Sequence, residues 1–186
     1  HSSGKMGYAV AEAARDRGAE VVLVTAPTSL PDPPLVQMVQ VRTAQEMCDA
    51  VLNHVDGADA LIMAAAVADY RPAFEAQQKI KKSTADMNIP LAKTTDILEE
   101  AEGNFVKVGF AAESENLVSN ARDKVQRKGL DLIVANDITD PEAGFGVDTN
   151  KVTLIGRDLE VEELPLLTKY DVSLRILDRV RDLFRD

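Results

Sequence analysis

Three lysines lie close together in a chain that is otherwise acidic. Lys79, Lys81 and Lys82 lie within the segment 79–82, whereas the 186-residue chain carries a net charge of −10. Alternate residues of an extended strand face the same side, so Lys79 and Lys81 would point together. Ammonium groups form charge-assisted hydrogen bonds with phosphate oxygens. The pattern predicts that Lys79 neutralises a triphosphate, but a solvated strand edge has the same composition.

A second pair of lysines has helical spacing. Lys124 and Lys128 are four residues apart in a segment whose apolar pattern predicts a helix near residues 116–128. Residues at this spacing lie on one face of a helix, so both ammonium groups could converge on one phosphate group. Ordinary surface charge, offset by the neighbouring Asp123, is the other interpretation.

The chain opens with a short polar motif before a predicted helix. The motif reads Ser2-Ser3-Gly4-Lys5-Met6-Gly7, and the helix is predicted near residues 5–17. The first turn of a helix presents free N–H groups and a partial positive charge, which suit a phosphate. Ser2, Ser3 and Gly4 are therefore candidate phosphate ligands. Alternatively, Ser3 caps the helix and Gly7 allows close packing on a sheet.

Small residues follow one predicted strand and lead to an acidic residue. Ala64, Ala65 and Ala66 follow the apolar run that ends at Met63, and Asp69 comes three residues later. Small side chains at the carboxyl end of a strand let a base or ribose approach the backbone. Asp69 could then bind the ribose or a metal. The other interpretation is that the alanines pack against a helix and Asp69 begins a turn.

Two further strands end in residues that suit a ligand site. Phe110 ends one strand and could stack on a base, although an aromatic residue there more often belongs to the core. Asn136 ends another strand and places an amide at the sheet edge where open α/β sheets bind ligands. It could instead cap a turn.

Apolar runs that alternate with amphipathic segments predict the elements that position these residues. The rhythm is typical of a Rossmann-like, three-layer α/β fold with a doubly wound, mostly parallel sheet. We expect one domain over residues 1–186, with a flap-like insertion at about 70–94 and a second loop at 138–150. The helical spacing of Leu174, Leu177, Val180 and Phe184 predicts a final helix packed on the sheet. The predicted strands are 19–25, 38–41, 60–64, 106–110, 132–135 and 152–155, and the remaining helices are 44–55 and 95–102.

Composition excludes several classes of protein. The single cysteine, Cys48, excludes an intrachain disulfide and any cysteine-cluster metal site. No apolar run reaches the roughly 20 residues that span a bilayer, and the acidic balance disfavours nucleic-acid binding. We therefore expect a soluble cytoplasmic protein, without membrane or nucleic-acid partners. Because the chain opens at His1, we expect it to be part of a longer protein.

Other nucleotide-binding motifs are missing. The second strand ends Val24-Thr25-Ala26-Pro27, without the acidic residue that usually holds the ribose of NAD. Neither a Tyr-x-x-x-Lys pair nor a Gly-x-x-x-x-Gly-Lys-Ser/Thr loop occurs. A nucleotide-dependent oxidoreductase and a non-catalytic nucleotide-binding module remain as alternatives on the same fold.

The order and spacing of several motifs together resemble one family along nearly the whole chain. The sequence is similar to the bacterial phosphopantothenoylcysteine synthetases, which are CTP-dependent phosphopantothenate–cysteine ligases. The motifs are Ser2 to Gly7, Ala65-Ala66-Val67-Ala68-Asp69-Tyr70-Arg71, Lys79-Ile80-Lys81-Lys82, Gly109-Phe110-Ala111-Ala112-Glu113, Ala135-Asn136-Asp137, Gly144-Phe145 and Asp148-x-Asn150.

The resemblance implies a reaction and its partners. The carboxylate of 4′-phosphopantothenate would attack the α-phosphorus of CTP, in the presence of Mg²⁺, to give an acyl-cytidylate and pyrophosphate. Cysteine would then displace CMP, in a step of coenzyme A biosynthesis. The family is often fused behind a flavin-dependent decarboxylase and works as a homodimer.

The resemblance also implies which residues form the site. Lys79 and Asn136 would be catalytic, Asp69 would serve nucleotide or metal, and Ser2, Ser3 and Gly4 would lie at the phosphate end. The family has a catalytic Asn immediately before the position of His1. It also has Asn-Pro where this chain has Thr94-Thr95, which changes the side chains that would contact CTP at the start of this helix. The other residues expected to bind CTP are Met63, Ala64, Ala65, Ala66, Thr95, Asp96, Ile97, Leu98, Phe110, Lys124 and Lys128.

Overall fold

A computed structural model describes residues 3–74, 78–79, 87–113, 117–137 and 146–184. Five helices and eleven strands alternate along these residues, which confirms the predicted α/β class. In chain order they are α1 (Lys5–Asp16), β1 (Val22–Thr25), β2 (Gln37–Gln40), α2 (Ala44–Val55), β3 (Ala60–Met63), β4 (Tyr70–Pro72), β5 (Leu91–Lys93), α3 (Ile97–Glu100), β6 (Val106–Glu113), α4 (Leu117–Lys128), β7 (Leu132–Asp137), β8 (Thr149–Asn150), β9 (Val152–Gly156), β10 (Val161–Glu163), β11 (Leu167–Thr168) and α5 (Lys169–Leu183).

The largest sheet has five strands in the order β10-β9-β7-β6-β3. Strands β3, β6 and β7 run parallel, as the apolar runs predicted. Strand β9 pairs antiparallel with β7, and β10 pairs antiparallel with β9. Strands β1 and β2 form a separate parallel pair. The carboxyl ends of the three parallel strands therefore point to the same edge of the sheet.

Alternating side chains of the central strands pack on opposite faces of this sheet. Leu132 and Val134 contact the core beneath α5, whereas Ile133 and Ala135 contact the core beneath α4. This alternation is the normal consequence of strand geometry. Helix α1 packs on α5, and α2 and α3 cover β3 beside α4. The sheet therefore lies between two helical layers.

The final helix is confirmed, and it packs on the sheet as predicted. Val172, Ile176 and Val180 are buried against the sheet, whereas Phe184 is 52% exposed. The helix begins at Lys169, where Thr168 accepts a hydrogen bond from Asp171 N. Of the four residues predicted to face the sheet, Val180 is buried and Leu174 and Leu177 are half-buried, so the prediction was wrong only for Phe184.

The predicted flap region contains an antiparallel ribbon. Strands β4 and β5 pair with each other, with Tyr70 opposite Lys93 and Pro72 opposite Leu91. They form their own two-stranded sheet. Residues 75–77 and 80–86 of the predicted flap lie outside the described residues, as does most of the predicted loop 138–150. None of the described helices is both long and apolar enough to cross a bilayer.

Candidate nucleotide-binding site

The carboxyl ends of the three parallel strands bring several predicted site residues to one edge. Met63 pairs with Gly109 across β3 and β6, and Phe110 pairs with Val134 across β6 and β7. Asn136 lies two residues beyond Val134 on the same face. Strand β3 ends at Met63, and the segment 64–69 follows directly at this edge. Met63 and Asn136 lie at or next to the ends of their strands, but β6 continues to Glu113, so the prediction that Phe110 ends its strand was wrong.

Helix α1 begins beside the same edge. A Cβ atom placed on Gly7 would lie 3.9 Å from the Ala64 Cβ, which is an ordinary van der Waals distance. Helix α1 therefore lies beside the residue that follows β3. Met6 packs against the core under α5, and its sulfur lies 4.0 Å from the Asn150 amide nitrogen. The first turn of α1 is thus placed at the carboxyl side of the sheet, where its N–H groups suit an anion.

Gly4, rather than Ser3, is the residue that caps α1. It has a left-handed backbone, with φ of 76°, and no side chain caps the helix by a hydrogen bond. The Ser3 hydroxyl lies 3.5 Å from Lys5 N, which is at the limit of a hydrogen bond. A Cβ on Gly4 would lie 2.9 Å from the Thr28 methyl carbon. Gly4 therefore meets both a conformational and a steric requirement. Ser2 lies outside the described residues.

Most of the alanine segment that follows β3 is exposed. Ala64 is half-buried, whereas Ala65, Ala66 and Asp69 are exposed, so the alternative that all the alanines pack against a helix does not hold. The Asp69 carbonyl accepts a hydrogen bond from Thr94 N at 2.8 Å, which joins this segment to the end of β5. The Asp69 side chain remains accessible to a ribose or a cation.

Asn136 brings an unusual polar group to the site. It is only 9% exposed, and its Oδ1 has no hydrogen-bond partner among the described residues. The same is true of the Thr94 hydroxyl. A buried polar atom without a partner costs about 1–3 kcal/mol, so such atoms often mark functional sites. A ligand donor placed at the carboxyl edge would satisfy the Asn136 amide oxygen.

Phe110 lies on β6, on the face of the sheet that α5 covers. It is partly buried and packs against the core under α5. The packing supports the interpretation of Phe110 as a core residue whose exposed part borders the site.

On the α4 side of the sheet, Asp96 and Lys128 form an ion pair. The Lys128 ammonium lies 2.6 Å from one Asp96 carboxylate oxygen, and the side chains are 19% and 29% exposed, respectively. The other carboxylate oxygen accepts from Leu98 N at 3.2 Å and Glu99 N at 3.4 Å. Burial raises the pKa of Asp96, but Lys128 and these N–H groups lower it by more, so the pKa lies below the usual value. Asp96 is thus ionised at neutral pH.

Gly109 allows these two residues to approach the sheet. A Cβ on Gly109 would lie 2.9 Å from a methyl carbon of Leu130 and 3.3 Å from one of Leu98. Leu98 follows Asp96 on α3, and Leu130 follows Lys128 after α4. The two leucines therefore lie over the middle of β6, level with the end of β3. Ile97 is buried beside Met63 and Val67, whereas Thr95 is exposed.

Sequence reasoning missed one cluster of charges behind α1. The Lys5 ammonium bonds to the Gly146 carbonyl at 2.9 Å and to Asp148 at 2.7 Å. Lys169, only 6% exposed, donates to the Val147 carbonyl. Burial lowers the pKa of Lys169 most, and the nearby charge of Lys5 lowers it further, whereas the charge of Asp148 raises it by less. The adjacency of Lys5 to Gly4 and the motif Asp148-x-Asn150 were the available signals.

The remaining lysine predictions have different outcomes. Lys79 is described and exposed, whereas Lys81 and Lys82 lie outside the described residues. Lys124 is half-buried on α4, one turn before Lys128. The partner of Lys128 is Asp96 rather than Asp123, so its charge is already offset.

The sequence matches the family described as DNA/pantothenate metabolism flavoprotein C-terminal domain over residues 1–183. The chain belongs to this family. It is 45% identical over 186 residues to the coenzyme A biosynthesis bifunctional protein CoaBC of Bacillus subtilis (strain 168), covering 98% of the chain and 46% of that relative. A relative from an unknown prokaryotic organism, named cysteine/cysteine sulfinic acid decarboxylase, is 40% identical over 98% of the chain and 52% of its own length.

Solved structures agree with this family assignment. The C-terminal domain of coenzyme A biosynthesis bifunctional protein CoaBC superposes with a TM-score of 0.83 at 42% identity, over the whole chain and 85% of that structure. The chain thus spans about half the length of the curated relatives it matches, and most of a solved domain.

Proposed function

We propose that this chain is the ligase part of a longer bifunctional protein and couples 4′-phosphopantothenate to cysteine through an acyl-cytidylate, converting CTP to CMP and pyrophosphate. The observation that carries the proposal is the convergence at one sheet edge of the α1 N-terminus, the exposed alanine segment and the buried amide of Asn136. The 42% identity to the C-terminal domain of CoaBC supports it.

The chemistry requires charge neutralisation and alignment. Both the attacking carboxylate and the triphosphate are anions, so their approach is unfavourable unless positive groups offset the charge. The N–H groups at the start of α1, near Ser3 and Gly4, would bind phosphate oxygens. The exposed ammonium of Lys79 would neutralise the triphosphate.

Asn136 would act on the acyl part of the reaction. Its Oδ1 is buried without a hydrogen-bond partner among the described residues, and an amide also carries two N–H donors. The donors would orient the reacting carbonyl, and Oδ1 would accept a hydrogen from the incoming amine. Both roles require the amide, which an alanine removes.

Asp69 suits a magnesium ion that is bound mainly through phosphates. Among the described residues, no three His, Cys, Asp or Glu side chains form a group that could hold a metal. Magnesium usually keeps several waters and uses one or two carboxylates together with substrate phosphates. The exposed Asp69 carboxylate fits this limited role. The ion would supply charge neutralisation at the phosphates.

The assembly implied by the family is also a proposal. We expect a homodimer in the cytoplasm, with a flavin-dependent decarboxylase domain upstream in the same protein. The β4–β5 ribbon offers support for the dimer, because Tyr70 and Leu91 are 61% and 60% exposed. Isolated two-stranded ribbons are marginally stable in water, and large exposed apolar residues are typical of interfaces.

The proposal is tested by pyrophosphate release from CTP in the full-length protein, with phosphopantothenate and Mg²⁺. Lys79→Ala should reduce the rate by about 10²-fold, as expected for loss of a transition-state electrostatic contact. The matched control is Lys151→Ala, which removes an exposed lysine from the turn between β8 and β9. Equal rates in both variants would contradict the role of Lys79.

A second assay separates the two half-reactions. Asn136→Ala should still release pyrophosphate but should consume the trapped acyl-cytidylate slowly when cysteine is added. Normal consumption would contradict the role of Asn136. Release of CO₂ from cysteine is measured in parallel, because one relative carries the name of a decarboxylase. The oxidoreductase and the non-catalytic module are not favoured by these relatives.

A further inference from the structure

The motif Asp148-x-Asn150 lies against the first turn of α1. The Asp148 carboxylate accepts a hydrogen bond from the Lys5 ammonium at 2.7 Å. The Asn150 amide nitrogen lies 4.0 Å from the Met6 sulfur, and Asn150 is only 3% exposed. Lys5 also donates to the Gly146 carbonyl at 2.9 Å. Two consecutive residues at the start of α1 are therefore held by this part of the chain.

The same segment runs on to the position beside Asn136. After Lys151, strand β9 begins at Val152, and Val152 pairs with Asn136 across β9 and β7. The segment 148–152 therefore connects the start of α1 with the strand position opposite Asn136. In the proposed chemistry, the first of these places binds phosphate and the second orients the acyl carbonyl.

The start of α5 holds this segment in place. Lys169 N donates to the Asp148 carbonyl at 2.9 Å, and the buried Lys169 ammonium donates to the Val147 carbonyl. Thr168 pairs with Thr149 across β11 and β8. Because Asp148 is fixed through its backbone, a helix that binds its carboxylate is attached to a fixed point.

Lys5 gives α1 a side-chain contact that a capping residue would otherwise supply. No side chain caps the helix by a hydrogen bond at Gly4. The Lys5 ammonium is instead bound to a carboxylate, which offsets most of its charge at a distance. A phosphate that approached Lys5 would also meet the negative charge of Asp148, so direct phosphate binding by Lys5 is disfavoured. The geometry therefore favours a role in positioning the helix.

We propose that Lys5 and Asp148 are positioning residues that keep the start of α1 in register with Asn136 during acyl transfer. The proposal rests on the proposed function, because it assumes that an acyl-cytidylate is held between these two places. In that step the cysteine amine forms a C–N bond with the acyl carbon and loses a proton to water. The bond from that carbon to the cytidylate oxygen breaks, and CMP leaves with the electron pair. A misplacement of about 1 Å can slow such a step by about 10²-fold.

The test measures the two half-reactions separately in the full-length protein, by single-turnover kinetics with phosphopantothenate, CTP and Mg²⁺. One rate is that of pyrophosphate release, and the other is that of acyl-cytidylate consumption after cysteine is added. Only the second requires Asn136, so Lys5→Met should lower the second rate about tenfold relative to the first. Asp148→Ala should lower the same ratio about threefold, because its carboxylate is 88% exposed and exposed ion pairs are weak.

Three further variants separate positioning from a loss of folded protein. Lys5→Arg keeps a cation and should keep the ratio of rates within about twofold of wild type. The double variant Lys5→Met/Asp148→Ala should be no slower than Lys5→Met, because both changes break the same contact. Arg17→Met removes the ion pair with Asp178, which joins the other end of α1 to α5 at 2.9 Å, and should leave the ratio unchanged. A folding defect alone does not alter this ratio, because both rates come from the folded molecules.

Two results would overturn the proposal. Tighter binding of phosphopantothenate by Asp148→Ala, with weaker binding by Lys5→Met, would show that Lys5 binds phosphate directly. A ratio of rates in Lys5→Met equal to that of wild type would show that the contact does not align the site. Failure of the wild-type protein to release pyrophosphate would contradict the proposed function as well. Normal wild-type release with an unaltered ratio in Lys5→Met would contradict only the present proposal.

Discussion

Gly4 provides a direct test of how the proposed phosphate end of the site is built. Its φ of 76° lies in the left-handed region, and a Cβ there would lie 2.9 Å from the Thr28 methyl carbon. Left-handed backbone costs a residue other than glycine about 1–2 kcal/mol. Thr28 cannot easily move away, because its hydroxyl lies 3.2 Å from both the Tyr8 hydroxyl and Leu30 N.

The predicted effect of Gly4→Ala has two parts that can be measured separately. Gly18 is also left-handed, with φ of 86°, but nothing lies within 4 Å of its Cβ position. Gly18→Ala should therefore lower the free energy of unfolding by about 1–2 kcal/mol, the backbone cost alone. Gly4→Ala should lower it by about 1 kcal/mol more, a typical cost of overpacking.

Thr28→Ser removes the obstructing methyl group and keeps the hydroxyl. In the double variant Gly4→Ala/Thr28→Ser, the extra cost should disappear, and the remaining loss should match that of Gly18→Ala. Urea unfolding, followed by circular dichroism, gives the free energy of unfolding of each variant, of the wild type and of Thr28→Ser, which is the reference for the double variant. Equal losses for Gly4→Ala and Gly18→Ala, or no recovery in the double variant, would refute the steric argument at this helix start.

Three further predictions concern the elements that support the site. Gly109→Ala should lower the free energy of unfolding by about 1–3 kcal/mol through contact with Leu130, and denaturant titration that shows no loss would contradict the close packing over β6. The pKa of Asp96 is lower in the folded protein than in the unfolded chain. Ionised Asp96 therefore stabilises the fold fully above about pH 5, and this stabilisation is lost as the pH falls below the unfolded-state pKa and through the folded-state pKa. The difference in unfolding free energy between wild type and Asp96→Asn should therefore shrink on acidification, and a constant difference would contradict the ion pair with Lys128. Thr168→Ala should cost about 1 kcal/mol by removing the cap of α5, and an unchanged thermal midpoint would contradict that contact.

Local patterns predicted the regular elements because each element depends mainly on nearby residues. Helix α2 has the predicted bounds, and its N-terminus is capped by Thr43, which accepts from Glu46 N. The parallel strands were evident as apolar runs, because strands covered on both faces need apolar residues at every position. The same reasoning predicted that Asn136 would lie at the carboxyl edge.

Long-range pairing was beyond the reach of these patterns. The ion pair between Asp96 and Lys128 joins residues from two helices, and their approach depends on Gly109 in the strand beneath them. Likewise, Lys5 meets Asp148 only because α1 packs on α5. Helical spacing alone could show that Lys124 and Lys128 share a face, but it could not show which charge that face meets.

The most direct test of the proposed function is pyrophosphate release by the full-length protein, given phosphopantothenate and Mg²⁺ with either CTP or ATP. We predict release with CTP before cysteine is added, followed by CMP when cysteine is supplied. No release with either nucleotide, from a protein shown to be folded, would contradict the assignment of this chain as a ligase.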